Sequence, residues 1–501
     1  MNFFKRSKKP PQQNKDEKPS SDIHNNDSPL LSIEGIKQHV ESHFLHSEDV
    51  KTTSFKYQEK KGMVYYFETM IDKEKLEQRF LIPIIKEEHQ PDLTQSTFSY
   101  LSTTTSFTDM TTKMLNGFAI IYIEGDQQVY VMDVALNNVR STDEPQSEKV
   151  IRGSHQGFVE NLPTNLNLLR SRYEQGNLVV KYFSHKEKQN KIAIVFMNDF
   201  VDQKVVRAIE DRITTVSEKM IFGSGTIEEM IENTSMSPFP QMLNTERPDR
   251  VMSYLMEGKV AILLDGTPTA LIMPITFFSF YQSPDDYNSR AYIGTFLRVL
   301  RLISFLIAIT LPAIYIAVIG FHFEVMPEEL VVTVKGSIDN VPYPPLIEAM
   351  LMELTIELIR EAGIRLPSAI GPTISIVGGL VIGDAIVKAG LVSNTMIVIV
   401  ATTAIASYVV PSNEMSSTVR LTRFPMMVAA ATFGFVGIVF GLMALLIHLC
   451  KLESFGTPYF TPIAPFRWKS IKDTLIRMPI WMLKTTPSDP KEPKKKRRGN
   501  Q

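Results

Sequence analysis

Four long uncharged segments in the second half of the chain constrain its fold more than any other feature. Residues 302–320 (LISFLIAITLPAIYIAVIG) form a run of 19 residues without a charge. At about 1.5 Å per residue, a helix of this length crosses a hydrocarbon layer of about 30 Å. Three more uncharged segments occupy residues 366–383, 389–413 and 424–447. Soluble cores seldom contain even one such run, so the pattern predicts an α-helical integral membrane domain over residues 291–450 rather than buried helices of a large soluble enzyme.

Composition and local motifs narrow the function classes. The formal net charge of -1 averages a polar first part of the chain and the apolar region after it. Cys450 is the only cysteine, so we expect no disulfide framework and no cysteine-based metal site. No nucleophile with a base partner and no metal-ligand spacing is visible, and GSGT at residues 223–226 lacks the rest of a phosphate-binding loop. We therefore expect no enzymatic activity, no cofactor and no nucleic-acid partner.

The polar ends of the chain predict its orientation. Residues 1–30 have no apolar signal segment and are too polar to fold, so they are predicted to be a disordered leader, with a solvated tail favoured over lipid contact through its basic start. Residues 451–501 are predicted to be a basic tail. Basic flanks mark the cytoplasmic side, so both termini are predicted to be cytoplasmic and the number of spans even. These flanks are Arg290, Arg298 and Arg301 before the first span, and Lys451, Arg467, Lys469, Lys472 and Arg477 after the last.

Residues 31–290 alternate between strand and helix signals and are predicted to form a cytoplasmic α/β domain in two lobes. Residues 117–134 read as a β-hairpin around a Glu-Gly-Asp turn. Residues 177–184 and 191–198 are predicted strands, and residues 201–220 a helix.

One segment of this domain repeats the hairpin pattern. Residues 258–277 again place an acid-Gly turn between two apolar strands, as residues 117–134 do. A duplicated building block and a coincidence between two hairpins both explain the echo, since acid-Gly turns are common where strands reverse.

An acidic helix is predicted between the first two spans. Residues 346–362 (LIEAMLMELTIELIREA) have helical periodicity, and Glu353, Glu357 and Glu361 fall on one narrow stripe of an otherwise apolar surface. Glu348 falls outside that stripe. In an oligomer, the stripe would face a water-filled pathway and attract cations, which makes these three residues a candidate ion pathway.

The alternative is an interfacial amphipathic helix whose acids face water or pair locally, as Glu361 with Arg365 would at i,i+4 spacing. The span count depends on this helix. Four spans keep both tails on the cytoplasmic side but leave Arg420 and Arg423 on the opposite side of the membrane. A fifth span would instead place the basic residues 494–498 on that opposite side. We predict four spans with a re-entrant or interfacial acidic helix.

Polar and small residues elsewhere in this region bear on packing. Glu414, Arg420 and Arg423 are predicted to lie in a loop, where they either gate a pathway or cap helices. Pro312 is predicted to kink the first span. Small residues that recur every four positions allow close helix approach and favour a bundle or oligomer. They are Gly371, Ser375, Gly379 and Gly383, with the same spacing at Gly437 and Gly441.

Several ordered segments between about residues 110 and 480 resemble one known family. They are RGSHQGFVENLPTNLNLLRSR (152–172), FPQMLNTERPDRV (239–251), EGKVAILLDGTPTALIMPITF (257–277), SPDDYNSR (283–290), GPTISIVGGLVIGDAIVKAGLVS (371–393) and VRLTRFPMM (419–427). Together they resemble the A subunit of the GerA-type spore germinant receptors.

This resemblance implies a cytoplasmic N-terminal domain, a multi-span membrane domain and a cytoplasmic tail, in the inner membrane of a bacterial spore. It implies a transporter-like B subunit that holds the nutrient, a lipoprotein C subunit and contact with membrane lipid as partners. It also implies self-association of the A subunit into a homo-oligomer that forms a nutrient-gated cation channel. The family supplies no catalytic residues.

Three alternatives stay open. One is a related A-like channel that amplifies germination without sensing nutrient. The others are a secondary transporter and a non-conducting signalling scaffold. A transporter would show paired inverted repeats with broken helices, for which four spans leave little room.

Overall fold

The computed structural model describes residues 32–86, 100–136, 144–173, 176–184, 191–216, 223–339, 341–365, 383, 385–468, 471 and 474–479. Within these ranges the chain forms two α/β lobes followed by a helical region. The predicted leader, nearly all of the predicted span at residues 366–383 and the end of the basic tail lie outside the described residues.

Lobe 1 is a five-stranded antiparallel sheet with helices on both faces. Its elements are α1 (Ile33–His43), β1 (Val50–Tyr57), β2 (Lys60–Phe67), α2 (Lys73–Leu76), a π-helical turn (Glu77–Leu81), α3 (Ile82–Lys86), β3 (Leu101–Thr104), α4 (Phe107–Leu115), β4 (Phe118–Ile123) and β5 (Val129–Asp133). The strand order is β1-β2-β4-β5-β3. The predicted hairpin at residues 117–134 is confirmed, with Ile120 opposite Val131.

The central strand β4 is apolar at every position because both of its faces are covered. Ala119 and Ile121 pack in one apolar cluster with Phe80, whereas Ile120 and Tyr122 pack in a second. The alternation of neighbours follows from the two-residue period of a strand.

Lobe 2 contains the other predicted strands. Its elements are α5 (Leu162–Arg170), β6 (Leu178–Ser184), β7 (Lys191–Met197), α6 (Gln203–Val216), α7 (Ser224–Ile231), β8 (Leu243–Thr245), α8 (Pro248–Met256), β9 (Val260–Leu264), β10 (Ala270–Met273) and a 3-10 turn (Phe277–Tyr281). The strand order is β6-β7-β9-β10-β8, again antiparallel throughout. The predicted strands at 177–184 and 191–198 are confirmed. The predicted helix at 201–220 is confirmed over residues 203–216, and its residues 217–220 lie outside the described residues.

The two lobes repeat one topology, so of the two explanations for the hairpin echo the structure supports duplication. In each sheet two hairpins lie side by side, and the strand that comes third along the chain, β3 or β8, lies at the edge next to the second hairpin. Helices α4 and α8 each have nine residues and stand immediately before the second hairpin. Gly117 and Gly258 follow these helices with the same φ of +83°, and an added Cβ would lie 2.8 Å from Met70 O and 2.5 Å from Phe200 O, respectively. Only glycine fits such a position without strain.

The helical region follows lobe 2. Its elements are α9 (Pro284–Asn288), α10 (Ala291–Phe321), a 3-10 turn (Phe323–Val325), α11 (Glu328–Ile338), α12 (Pro345–Arg365), α13 (Asn394–Tyr408), α14 (Asn413–Phe433), α15 (Phe435–Lys451), β11 (Glu453–Ser454) and β12 (Thr457–Pro458). Within the described ranges, α10 is the one helix whose length and apolar composition would suffice to cross a membrane, and α13 and α15 are shorter apolar helices.

Three boundaries differ from those predicted. Helix α10 begins at residue 291 rather than 302, so Arg298 and Arg301 lie inside it. The loop predicted around Arg420 and Arg423 is wrong, because these residues belong to α14, which starts at a Ser412 cap. The apolar segment 424–447 is not one helix, since it is divided at Gly434, whose φ is +61°. The sequence pattern failed here because charges inside a helix interrupt an apolar run and a glycine does not.

Helices α10, α14 and α15 run side by side. Thr418 Oγ1, near the start of α14, donates to Pro238 O of lobe 2 at 2.5 Å. The turn at Gly434 lies against Phe321, at the end of α10. Helix α15 then returns to lobe 2, where His448 Nε2 lies 2.9 Å from Ser237 Oγ. We call the end of the helical region that contacts lobe 2 the lobe end, and the opposite end, at Gly434, the far end.

Candidate functional site

A central ionic network joins helices α12 and α14. It consists of Glu353 and Glu357 on α12 and Arg420 and Arg423 on α14, with Arg360 beside them. Glu353 and Arg423 form an ion pair in which each side chain is only 3% exposed. Buried ionised groups persist only where they are paired, so this pair fixes α12 against α14.

Arg423 also contacts α10 at its proline. Arg423 Nε donates to Ala308 O at 2.8 Å. Ala308 stands four residues before Pro312, which lies inside α10 and has no N–H to offer this carbonyl. The guanidinium therefore replaces a missing helical hydrogen bond and links three helices at one point. The residues are 115 positions apart, which is why local sequence patterns did not reveal the contact.

The second acid of the predicted stripe is partly accessible. Glu357 forms an ion pair with Arg360 on its own helix, and its Oε2 lies 3.4 Å from Arg420 Nε. Arg420 also donates to the hydroxyls of Ser416 and Ser417, each at 2.7 Å. The Glu357 side chain remains 37% exposed, so its carboxylate is bound by arginine and still reachable from outside the bundle.

Glu361 lies at the surface with its own neighbour. Its Oε1 is 2.6 Å from Arg365 Nη2, and its side chain is 56% exposed. The structure thus places Glu353, Glu357 and Glu361 along one line of α12 and gives each an arginine partner. The role of the three acids as an ion pathway stays a prediction.

The predicted packing residues lie partly within the described chain. An added Cβ at Gly437 would lie 1.9 Å from Ala429 O, and one at Gly441 would lie 2.6 Å from Met426 Sδ, so α14 and α15 approach closely at both positions. Gly383 has open space around it among the described residues. Gly371, Ser375 and Gly379 lie outside the described residues. The packing role of the whole set stays a prediction.

A buried aspartate fastens lobe 2 to α10. Asp286 in α9 is fully buried, accepts from Arg298 Nε at 3.1 Å and receives Arg301 Nη1 at 2.8 Å on both carboxylate oxygens. Arg301 Nη1 also donates to Tyr281 O of lobe 2 at 3.1 Å. Arg298 and Arg301, which the sequence analysis used to predict the orientation, therefore both bind Asp286. The sequence did not predict this contact.

Lobe 1 reaches lobe 2 through another buried pair. Arg170 Nε lies 2.5 Å from Asp49 Oδ2, and both side chains are almost fully buried. The Arg170 guanidinium also lies 4.3 Å from the centre of the Phe67 ring. Buried ion pairs thus connect lobe 1 to lobe 2 and lobe 2 to the helices.

Carboxylates also meet where lobe 2 contacts the start of α14. Burial, together with the nearby carboxylates of Glu414 and Glu232, raises the pKa of Glu228 to about 9. Burial also raises the pKa of Glu232. Among the described residues, no three His, Cys, Asp or Glu side chains are grouped closely enough to hold a metal ion.

Comparisons with known proteins agree with the resemblance seen in the sequence. The family model of the Bacillus/Clostridium GerA spore germination protein matches residues 38–489. Spore germination protein KA of Bacillus subtilis (strain 168) is 40% identical over 395 residues, which cover 79% of this chain and 73% of that protein. The uncharacterized membrane protein YfkQ of the same organism is 38% identical over 435 residues, 85% of each chain.

A solved structure is also similar. The crystal structure of the N-terminal domain of the A subunit of the Bacillus megaterium spore germinant receptor GerK3 aligns with a TM-score of 0.38 and 22% identity, over 50% of this chain and 98% of that one. The family match spans most of the chain, from within α1 through both lobes and the helical region. The chain therefore belongs to the GerA family of spore germination proteins.

Proposed function

We propose that this protein is the A subunit of a nutrient-sensing germinant receptor, and that copies of its helical region assemble in the spore inner membrane around a cation pathway. The observation that carries the proposal is the charge placement in the helical region, where Glu353, Arg420 and Arg423 are buried between helices while large apolar side chains are exposed. Ionisable residues within apolar helices mark ion pathways more often than they serve stability.

The outer surface of the helices supports a membrane location. Large apolar side chains on α13, α14 and α15 are more than half exposed, which is costly in water and favourable in lipid. They include Val398, Ile405, Phe433, Val439, Phe440 and Ile447. The relative YfkQ also carries the description of a membrane protein.

The course of α12 supports a transmembrane role for the acidic helix. Glu348 near its start accepts from Ser393 N, whose hydroxyl lies beside Tyr315 of α10, whereas Glu353 meets Arg423 at the level of Ala308. Later residues of α12 therefore contact earlier residues of α10, so the two helices are antiparallel and α12 runs toward the lobe end.

We infer six crossings in place of the four predicted from the sequence. The crossings are α10, α12, the predicted span at residues 366–383, α13, α14 and α15. An even number keeps both ends of the helical region beside lobe 2, on the cytoplasmic side. With six crossings, Arg420 and Arg423 lie inside the bundle, where they pair with α12. The four-span count had left these two arginines on the outer side, in conflict with the rule that basic residues mark the cytoplasmic side.

In this arrangement Glu357 and Glu361 are the accessible acids of the pathway, and Glu353 is closed by Arg423. If copies of α12 surround an axis, their exposed carboxylates form rings that attract cations. A nutrient held by a B subunit would open the pathway by binding the open state more tightly than the closed one, with a lipoprotein C subunit completing the receptor.

The test compares two pairs of acids in spores that contain equal amounts of the protein. The Glu357→Gln/Glu361→Gln variant removes the accessible carboxylates, and we expect release of potassium after addition of a nutrient mixture to slow several-fold. The control is Glu328→Gln/Glu329→Gln, which removes two exposed acids of α11, and its release should match wild type. Equal release in all three would exclude the stripe from the pathway. Glu353 is left unchanged because its loss would strand Arg423 in the interior.

A further inference from the structure

Glu348 is a buried carboxylate that the central ionic network does not use. It is fully buried in the first turn of α12. Its Oε1 accepts from Ser393 N at 2.5 Å, whereas its Oε2 has no hydrogen-bond partner among the described residues. A buried carboxylate oxygen without a partner is costly, so this atom requires one.

No basic residue in the described part of the chain supplies that partner. Glu348 has no ion pair there with any Lys, Arg or His, unlike Glu353, Glu357 and Glu361. Residues 366–382, which the structure does not describe, contain no Lys, Arg or His in the sequence.

Three hydroxyl groups gather beside this carboxylate. Tyr315 Oη on α10 lies 2.9 Å from Thr395 Oγ1 and 3.3 Å from Ser393 Oγ, and the last two oxygens are 3.3 Å apart. Ser393 joins the two groups, because its N–H binds Glu348 and its hydroxyl belongs to the trio. The carboxylate and the trio therefore bring four oxygen-bearing side chains together at the far end of α10.

Two helix N-termini lie at the Glu348 carboxylate. The residue stands in the first turn of α12, and its Oε1 accepts from the N-cap residue of α13. Helix N-termini attract negative charge, so the site suits an anionic ligand group.

We propose that Glu348 is the anionic ligand of a buried site for a monovalent alkali cation, with the hydroxyls of Tyr315, Ser393 and Thr395 as neutral ligands. One carboxylate balances one positive charge. Oxygen ligands suit hard cations, and the single carboxylate falls short of what calcium sites provide. The bound cation links α10, α12 and α13 at the far end. This site is separate from the proposed ion pathway and does not depend on conduction.

The experiment measures thermal unfolding of the purified full-length protein in detergent. Sodium chloride and potassium chloride are each compared with choline chloride at equal ionic strength. A ligand that binds only the folded state raises the unfolding midpoint, so we expect sodium or potassium to raise it by about 2 to 4 °C over choline. The Glu348→Gln variant should lose this response, and the Glu329→Gln control, which changes an exposed acid of α11, should keep it.

Two further variants keep the proposal open to refutation if Glu348→Gln does not fold. Tyr315→Phe and Thr395→Val retain the carboxylate and remove one hydroxyl each, and we expect about tenfold more salt to be needed for the same rise. A wild-type protein that responds equally to choline, sodium and potassium would overturn the proposal. So would a Glu348→Gln variant, or both hydroxyl variants, with the wild-type ion response.

Discussion

Lobe 1 and lobe 2 have the same strand order, yet within the described residues it is lobe 2 that packs against the helices. The apolar core of lobe 2 continues into the helical region, where the rings of Phe277 and Phe305 are 5.3 Å apart. Asp286 of α9, the short helix that directly follows lobe 2, binds α10, and lobe 2 supplies Ser237 to α15. The fully buried Tyr459, in the segment after α15, donates from its hydroxyl to Pro240 O.

Lobe 1 has two apolar clusters of its own and meets lobe 2 through Asp49 and Arg170. The comparison shows that the shared strand order does not determine which lobe contacts the helices. Side chains outside the shared strands determine this, and they attach lobe 2 to the helical region.

The largest effect is expected at the attachment of lobe 2. Asp286→Asn leaves Arg298 and Arg301 without their buried counter-charge, which should lower the free energy of unfolding by about 3 to 5 kcal/mol. The matched change in lobe 1 is Asp109→Asn, whose exposed pair with Lys113 should cost less than about 1 kcal/mol. Thermal unfolding of both purified variants measures the difference. Equal losses would mean that Asp286 does not fasten the helices to lobe 2.

An intermediate effect is expected at the equivalent glycines of the repeat. Gly117→Ala and Gly258→Ala should each destabilise the protein by about 2 kcal/mol, because both residues have positive φ and face a backbone oxygen. Gly125→Ala and Gly266→Ala are matched controls with positive φ and open space, so they should cost only about 1 kcal/mol. The four unfolding midpoints test the duplication, and a large difference between Gly117→Ala and Gly258→Ala would break the equivalence of the lobes.

The smallest effect concerns pH at the contact between lobe 2 and α14. Because burial raises the pKa of Glu228 to about 9, its protonated form stabilises the fold at low pH. This contribution is lost as pH rises from the ordinary value of 4.5 through about 9. Glu228→Gln should be more stable than wild type at pH 9, and its stability should depend less on pH.

The control for this pH effect is Glu229→Gln, which changes an exposed neighbour and should leave the pH dependence as in wild type. Unfolding midpoints between pH 5 and pH 9 provide the measurement. A Glu228→Gln variant with the wild-type pH profile would show that this carboxyl does not titrate in that range.

The sequence predicted the features that repeat over short distances. Both hairpins follow from two-residue alternation around an acid-Gly turn, and α6 follows from its helical period. The family was identified from ordered segments, and the family match over residues 38–489 confirms it.

Features that depend on residues far apart in the chain were not predicted. The contact from Arg423 to the carbonyl of Ala308, left free by Pro312, has no local signal. Helix α14 was missed because Arg420 and Arg423 interrupt its apolar run, although both form ion pairs with α12 inside the bundle. Asp286 likewise gives no sign in the sequence that two arginines of α10 will cover it.

The most direct test of the proposed cation pathway is ion flux from potassium-loaded liposomes that contain the receptor subunits, measured after addition of a nutrient mixture. We predict potassium efflux with the wild-type protein, several-fold slower efflux with Glu357→Gln/Glu361→Gln, and wild-type efflux with Glu328→Gln/Glu329→Gln. Absence of efflux from correctly assembled wild-type receptor would contradict the channel and favour a non-conducting scaffold.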